Sequence, residues 1–167
     1  MVDIYNVFIY PIIYVLPAYV ANAVPVLFGG KGSRPIDGGR LLFGKPILGK
    51  NKTIRGFMSG VLLGTFTGFI ISFFFPYMLF IGITESIGTH LGDMAGSFIK
   101  RRMGKSSGDS FAFFDQYLFF LFAIALSYPL GHLPEGYGML FAFILTGFMH
   151  VMGNRFAYLI HIKSVPW

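Results

Sequence analysis

Apolar residues occur along the chain in five long runs that are separated by short polar segments. A helix of ~20 residues crosses the ~30 Å hydrocarbon core of a bilayer, and each run is long enough to do so. The runs predict membrane-spanning helices at residues 4–28, 54–75, 77–98, 111–130 and 137–158. We therefore expect an all-α integral membrane protein in which residues 1–167 form a single domain.

Glycines recur at every fourth position on two of these predicted helices. The second helix has Gly56, Gly60, Gly64 and Gly68, and the third has Gly88, Gly92 and Gly96. Small residues at this spacing let helices approach closely in membranes. Because residues 75–77 leave only a short uncharged turn between the two helices, we predict a tight antiparallel pair in which the two glycine stripes pack together.

The composition agrees with a membrane protein. Hydrophobic residues make up 54% of the chain, charged residues make up only 12%, and the mean hydropathy is +0.67. Soluble domains are usually about 25% charged. The chain has no cysteine, which excludes disulfides. The first residues lack the positive region of a signal peptide, so we interpret the first run as a retained span.

The distribution of charge predicts the topology. With five spans, all 13 Lys and Arg residues fall on one side: in the loop at 31–55, in the loop at 100–105 and in the tail. The positive-inside rule then places the N-terminus outside and the C-terminus in the cytoplasm. The net charge of +6 is therefore explained by topology, and no nucleic acid partner is expected. We expect a multi-pass protein of the cell membrane with its active site facing the cytoplasm.

The long basic segment at 29–53 is predicted to be a cytoplasmic loop between the first two helices. Its glycines favour a loop that lies close to another part of the molecule. Apolar residues within it suggest that part of the loop enters the membrane interface or covers a cavity: Leu41, Leu42, Phe43, Ile47 and Leu48. The alternative is a solvated linker.

Residues 92–116 contain the most informative polar pattern. Asp93 lies near the end of the third helix and Asp115 near the start of the fourth, with a predicted basic turn between them. Carboxylates bind Mg²⁺ and cations bind phosphate oxygens, so the segment suits a metal-assisted reaction of phosphates. The two aspartates could instead simply neutralise the basic residues, although an ionisable residue within a span is a functional candidate. The basic residues are Lys100, Arg101, Arg102 and Lys105.

Other residues of the third helix extend this polar pattern. Glu85, Thr89 and Asp93 follow one another at four-residue spacing and are expected to form one polar stripe. His90 is offset from the stripe, and we expect a packed, hydrogen-bonded histidine rather than a ligand.

Several catalytic motifs are absent from the sequence. Residues 102–106 look like the end of a phosphate-binding P-loop, but position 99 is Ile where that motif needs Gly, and no strand precedes it. No Cys or His cluster suggests zinc. No GxSxG motif marks a hydrolase nucleophile.

The polar elements together resemble a known signature. The elements are Gly92-Asp93, then Ser97-Phe98-Ile99-Lys100-Arg101-Arg102, then Gly104, and then Phe114-Asp115-Gln116. Their order and spacing are similar to those of the phosphatidate cytidylyltransferase superfamily. The short chain and the run Gly-Lys-Asn-Lys-Thr-Ile-Arg-Gly at 49–56 resemble the archaeal branch, the CDP-archaeol synthases. The resemblance covers about residues 35–118.

The resemblance implies that the chain transfers a cytidylyl group from CTP to a phosphorylated isoprenoid glycerol ether lipid, unsaturated archaetidic acid. The products would be CDP-archaeol and pyrophosphate, and Mg²⁺ would be the cofactor. Asp93 and Asp115 would hold the metal and act in catalysis with Lys100 and Arg101. The residues expected to bind the phosphates of CTP are Asn51, Lys52, Thr53, Arg55, Ser97 and Lys105.

One position departs from the family pattern. Relatives often have a second acidic residue three positions after the one that matches Asp115, and here that position is Leu118. If this acid binds metal elsewhere, then Glu85, Asp37 or a phosphate oxygen would have to replace it.

Two alternative functions remain open at this point. One is a CTP-dependent polyprenol or phytol kinase. The Ser-x-x-Lys-Arg run and the chain length argue against this alternative. The other is a small transporter in which Glu85, Thr89 and Asp93 line a pore, but the cations lie in loops and the chain shows no internal repeat. The oligomeric state does not follow from the sequence.

Overall fold

The computed structural model describes residues 3–29, 32–107, 109, 111–162 and 165–166. Within them, a π-helical turn at Tyr5–Ile9 leads into the first helix. The α-helices are α1 (Tyr10–Phe28), α2 (Ile54–Ser72), α3 (Met78–Arg102), α4 (Ala112–Ser127) and α5 (Gly136–Leu159), and a 3₁₀ turn at Tyr128–Leu130 extends α4. A small antiparallel hairpin, β1 (Leu41–Leu42) and β2 (Lys45–Pro46), lies between α1 and α2.

The helices occupy the positions that the apolar runs predict. Three of them are long and apolar enough to cross a membrane: Tyr5–Phe28, Ile54–Ser72 and Gly136–Leu159. Phe114–Leu130 is a shorter apolar helix. Helix α3 is long enough, but its acidic and basic residues lower its hydropathy. The all-helical fold is therefore confirmed, whereas the count of five spans and their orientation remain predictions.

Helix α3 lies at the centre of the bundle, where it packs against α1, α2 and α4. Glu85, Ser86 and Thr89 on this helix are fully buried. The apolar core lies beside them and joins α1, α3, α4 and α5 through Tyr14, Val15, Met78, Ile81, Phe119, Phe120 and Ala142. Because α3 is enclosed on several sides, these three polar side chains face other parts of the protein.

The prediction that the two glycine stripes pack together is wrong. The glycines of α2 face α1 and a different side of α3, formed by Gly82, Ser86 and His90. Gly88 and Gly92 instead lie against the backbone of α4, where an added Cβ would overlap main-chain atoms. Each residue turns a helix by about 100°, so residues 86 and 88 point to nearly opposite sides. The two stripes therefore form two separate close contacts, and α3 is held tightly between α2 and α4.

The basic turn begins later than the sequence predicts. Helix α3 continues past residue 98 to Arg102, so Lys100, Arg101 and Arg102 lie in its last turn rather than in a turn or loop. Cations at a helix C-terminus interact favourably with the helix dipole and with the last free carbonyl groups. The chain turns at Gly104, which has a φ of +79° that few other residues adopt readily. Lys100 and, after the turn, Lys105 are therefore held close to the start of α4.

The loop between α1 and α2 is ordered by one carboxylate. Oδ2 of Asp37 accepts hydrogen bonds from the backbone N–H groups of Leu48 and Gly49, and Oδ1 accepts one from Gly39. Burial raises the pKa of Asp37, but the backbone hydrogen bonds more than offset this effect and lower its pKa below the usual value. An isolated bridge between Pro35 and Thr53 closes the base of the loop. The loop is therefore ordered by its own contacts, and its entry into the membrane interface stays a prediction.

Two cations of the predicted topology, Lys31 and Lys163, lie outside the described residues, as do Gly108 and Ser110 of the second basic segment.

Candidate active site

Asp93 and Lys52 form an ion pair that joins the α1–α2 loop to α3. The Nζ atom of Lys52 lies 2.5 Å from Oδ2 of Asp93. Both side chains remain partly exposed, at 24% for Lys52 and 36% for Asp93. Such an accessible pair can exchange partners when a charged ligand arrives. The sequence predicted both residues as site residues, and the structure brings them into contact across 41 positions of sequence.

Asp115 and Lys100 form a second ion pair between α3 and α4. The Nζ atom of Lys100 lies 2.6 Å from Oδ1 of Asp115. The other carboxylate oxygen accepts a hydrogen bond from the backbone N–H of Phe111, at the N-terminus of α4. That position suits an anion, because the free N–H groups of a helix N-terminus attract negative charge. Lys100 is also close enough to Asp93 to interact with it electrostatically.

The two aspartates lie at similar heights along the bundle. Gly92 packs against Leu118 and Phe119 of α4, and Gly96 lies closest to Leu118 and Phe114. Because α3 and α4 run antiparallel, Asp93 on one helix and Asp115 on the other fall within about one helical turn of this contact. The structure therefore gathers two carboxylates and two lysines, Lys52 and Lys100, at one end of the bundle.

A small cavity of about 40 Å³ adjoins the first ion pair. Its polar lining comes from Asn51, Lys52, Thr53, His90 and Asp93. Its other walls are largely apolar and come from α1, α2, α3 and the loop. The predicted phosphate-binding run at 51–53 therefore does face Asp93.

Thr53 has a structural role at this cavity. Its hydroxyl oxygen accepts the backbone N–H of Gly56 and so caps α2, and the hydroxyl group donates to the carbonyl of Gly29. The side chain is buried. Thr53 therefore fixes the start of α2 and the direction of the preceding Lys52, whereas Asn51 is exposed.

His90 was expected to be a packed, hydrogen-bonded residue, and it is packed. Its ring lies 5.0 Å from that of Phe57, and Gly60 leaves the room that the imidazole occupies. However, its Nε2 atom is buried without a hydrogen-bond partner among the described residues, and the side chain lines the cavity beside Asp93. A buried nitrogen of this kind normally has a partner. His90 was not predicted as a site residue from the sequence, although its spacing of three residues from Asp93 on one helix is a signal that the two side chains are neighbours.

The other predicted site residues are more dispersed. Arg101 is buried, and its Nη2 atom donates to the carbonyl of Ser106, so it holds the turn after α3. Ser97 is buried within α3. Arg55 is exposed in the first turn of α2. Lys105 lies over the ring of Phe111 at 5.2 Å. Arg101 and Lys105 thus contact other partners than the Lys52–Asp93 pair, whereas Ser97 lies one helical turn beyond Asp93 on α3.

Neither acidic residue suggested as a replacement at Leu118 forms one cluster with the two aspartates among the described residues. Glu85 lies about two turns deeper on α3, fully buried, and neither of its carboxylate oxygens has a hydrogen-bond partner among the described residues. Both oxygens of Asp37 accept backbone hydrogen bonds in the loop. Within the described residues, no cluster of three or more His, Cys, Asp or Glu residues could hold a metal ion. A phosphate oxygen is the candidate that the geometry leaves open.

A larger apolar groove of about 380 Å³ lies between α1, α4 and α5. Its walls include Val26, Leu27, Phe119, Met149 and Phe156, and the hydrogen-bonded pair of Tyr19 and Thr146 closes one side. The sequence did not predict this groove, because no residue pattern shows which apolar faces leave space between them.

Comparison with known proteins identifies relatives over nearly the whole chain. A family model described as CarS-like, CDP-archaeol synthase, matches residues 4–167. The CDP-archaeol synthase of Thermococcus kodakarensis is 44% identical over 164 residues, which cover 92% of this chain and 93% of that protein. Those of Methanopyrus kandleri and Methanococcus aeolicus are 39% and 37% identical, and they cover 92% and 93% of this chain and 90% and 94% of their own lengths.

A solved structure has the same fold. It is described as an intramembrane enzyme for archaeal membrane lipid biosynthesis, and it superposes with a TM-score of 0.79 at 36% sequence identity. The match covers 86% of this chain and 91% of the other.

Proposed function

This chain belongs to the CarS-like family of CDP-archaeol synthases, and we propose on this premise how its residues perform the reaction. The chain transfers the cytidylyl group of CTP to archaetidic acid, giving CDP-archaeol and pyrophosphate for membrane phospholipid synthesis. The kinase and transporter alternatives are not favoured, because the three relatives compared above match over nearly the full length and are named as synthases of this one product.

The observation that supports the proposed mechanism is the pair of carboxylate–lysine contacts at one end of the bundle. The attacking group is the lipid phosphate, which is already anionic at neutral pH, so the reaction needs no general base. Catalysis then consists of positioning two anionic phosphates and stabilising charge around the α-phosphate of CTP. Lys52 and Lys100 are the cations closest to Asp93 and Asp115 among the described residues, and they are suited to this task.

The donor set fits Mg²⁺. This ion prefers oxygen ligands and typically takes only one or two protein carboxylates, with water and phosphate oxygens completing its shell. Asp93 and Asp115 offer two such carboxylates without a third acid at Leu118. When bound, the metal would neutralise charge on the phosphates of CTP and on the departing pyrophosphate.

The lysines would take new partners when CTP binds. In the structure each lysine neutralises one aspartate. The phosphate oxygens of CTP would compete with the two carboxylates for the lysines. Lys52 and Lys100 can donate hydrogen bonds to these oxygens, which leaves the carboxylates free to bind the metal. Asn51, an exposed loop residue that lines the cavity, and Arg55, exposed in the first turn of α2, can donate to phosphate oxygens of CTP. Arg101 keeps the turn after α3 in place.

The apolar groove between α1, α4 and α5 suits the isoprenoid tails of the lipid substrate. Its lining is largely aliphatic and aromatic. A lipid held there would stay in the membrane while its phosphate meets CTP at the end of α3.

The proposed function can be tested by incubating the purified protein with labelled CTP, Mg²⁺ and several phosphorylated lipids. The lipids are then extracted and their label is measured. We expect label in the lipid phase with the unsaturated archaetidic acid. We also expect the activity to disappear with a chelator and to return with excess Mg²⁺. Full activity in the presence of the chelator would contradict the metal proposal but leave the cytidylyl transfer intact.

We also propose that the chain crosses the plasma membrane five times, with the N-terminus outside and both basic loops in the cytoplasm. Cysteines introduced at Ser33 and Ser107 should be protected from an impermeant thiol reagent in intact cells, and one at Glu135 should react. The chain has no native cysteine, so the reagent can label this protein only at the introduced cysteine. Labelling of the Ser33 position from outside would reverse the topology and the orientation of the active site.

Lys52→Ala should raise the apparent KM for CTP by about tenfold or more and change that for the lipid much less. A charge-assisted hydrogen bond to phosphate is worth roughly 1.5–3 kcal/mol, and 1.4 kcal/mol corresponds to tenfold. Steady-state kinetics with each substrate varied in turn measure this effect. Lys50→Ala is the matched control, since Lys50 is exposed in the same loop two residues away. Equal changes in both KM values would indicate a general structural role for Lys52.

A further inference from the structure

The hairpin of the α1–α2 loop has an unusual tip. Phe43 and Gly44 form a two-residue turn in which both have positive φ, +51° and +73°. Such turns favour Asn-Gly or Gly-Gly, because bulky side chains rarely adopt positive φ. Phe43 is nevertheless 90% exposed, and Leu41, two residues earlier, is 62% exposed. The tip therefore covers no cavity among the described residues, and contacts within that part of the chain do not explain its apolar side chains.

Arg102 holds this hairpin at the end of α3. Its guanidinium group donates to the carbonyl oxygens of Leu42, Lys45 and Pro46. In return, the Nζ atom of Lys45 donates to the carbonyl of Arg102 at 3.1 Å. These contacts fix the position of the hairpin relative to a helix of the membrane bundle.

The height of the hairpin follows from a second contact of Arg102. The Cζ atom of Arg102 lies 5.2 Å from the centre of the Phe98 ring, so the guanidinium group folds back along α3. Phe98 is the last residue of the predicted third span, and Arg102 lies only about 6 Å further along the helix axis. The headgroup layer on each side of a bilayer is roughly 5–7 Å thick. With the third span ending at Phe98, as in the proposed topology on which this inference rests, the backbone of the hairpin lies at headgroup height.

We propose that the hairpin tip, Leu41 to Gly44, inserts into the boundary between headgroups and acyl chains of the membrane that the protein spans. Aromatic and aliphatic residues are favoured at this boundary, and cations beside them pair with lipid phosphates. Arg40, exposed directly before the tip, supplies such a cation. Insertion would hold the loop that contains Asn51 and Lys52 at the membrane surface.

Tryptophan fluorescence in nanodiscs, which leave both membrane faces open to solvent, tests this proposal. The only tryptophan, Trp167, is first replaced by phenylalanine. Into this background we would place Phe43→Trp as the tip probe, with Phe80→Trp on an exposed face of α3 as the lipid reference. Lys50→Trp, in the same loop, is the aqueous reference. Leu41→Trp is a second probe of the tip, in case tryptophan is not accepted at positive φ.

We expect lipids that are brominated on their acyl chains to quench the fluorescence of the tip probe. This quenching should be at least about half as strong as that of the lipid reference, because the ring would lie about 5–10 Å deep in the boundary. The emission of the tip probe should also lie to the blue of that of the aqueous reference, and aqueous iodide should quench it weakly. Quenching by iodide equal to that of the aqueous reference would show a tip in water. Resistance to both quenchers would show a tip buried in protein. Either of these two results would overturn the proposal.

Discussion

Replacing Asp93 with asparagine is expected to reduce the formation of CDP-lipid by at least ~100-fold, because the change removes several kcal/mol of charge stabilisation from the site. Asparagine keeps the shape of the side chain and removes only its charge. The protein should still fold and insert, since a charge within a membrane helix is costly and Lys52 stays partly exposed to solvent. The loss of activity is measured as turnover at saturating CTP and Mg²⁺. Folding is measured by the elution profile in size-exclusion chromatography and by the melting temperature.

Asp109 provides the matched control for this substitution. It is exposed on the segment between α3 and α4, where its carboxylate accepts the backbone N–H of Ser106. Asp109→Asn should retain near-normal activity because an amide oxygen can accept the same bond. Near-normal turnover of Asp93→Asn would remove Asp93 from the site. An unfolded Asp93→Asn protein would instead indicate that pairing with Lys52 is its main role.

Asp115→Asn is expected to cause a loss of similar size, at least ~100-fold. The carboxylate of Asp115 forms an ion pair with Lys100 and accepts a hydrogen bond from the backbone N–H of Phe111. Asparagine can keep the second contact but not the first. If the carboxylate acts on metal, activity should be lost while the melting temperature changes little.

A double variant separates this role from structural pairing. If Asp115 serves only to neutralise Lys100, then Lys100→Met in the Asp115→Asn background should restore the activity, since no charge remains without a partner. If both residues act on CTP and metal, the double variant should be at least as inactive as either single variant. Restored activity would therefore contradict the role proposed for Asp115.

The sequence predicted the helices well because membrane spans depend on a local property. Each apolar run must satisfy its own backbone hydrogen bonds, so its ends can be located without knowing its neighbours. The end of α3 was misplaced because the cationic run Lys100, Arg101 and Arg102 was interpreted as a polar turn. The run in fact forms the last turn of the helix, where cations are stabilising. Polarity alone does not distinguish these two cases.

Contacts between distant segments were beyond what spacing can predict. Four-residue spacing identified glycine faces on α2 and α3 but not which neighbour each face meets. Residue types identified Lys52 and Asp93 separately, and only the fold shows that they touch. Likewise, Asp37 was a possible metal ligand by chemistry, but it is occupied by backbone N–H groups that come from eleven and twelve residues further along the chain.

The position of the label transferred from CTP tests the assignment as a cytidylyltransferase most directly. Purified protein would be incubated with archaetidic acid, Mg²⁺ and CTP labelled at either the α- or the γ-phosphorus, and the lipids would then be extracted. Cytidylyl transfer predicts that the α-label enters the lipid phase and that the γ-label is released as pyrophosphate in equal amount. Entry of the γ-label into lipid, with the α-label left in CDP, would show a kinase and would contradict the assignment.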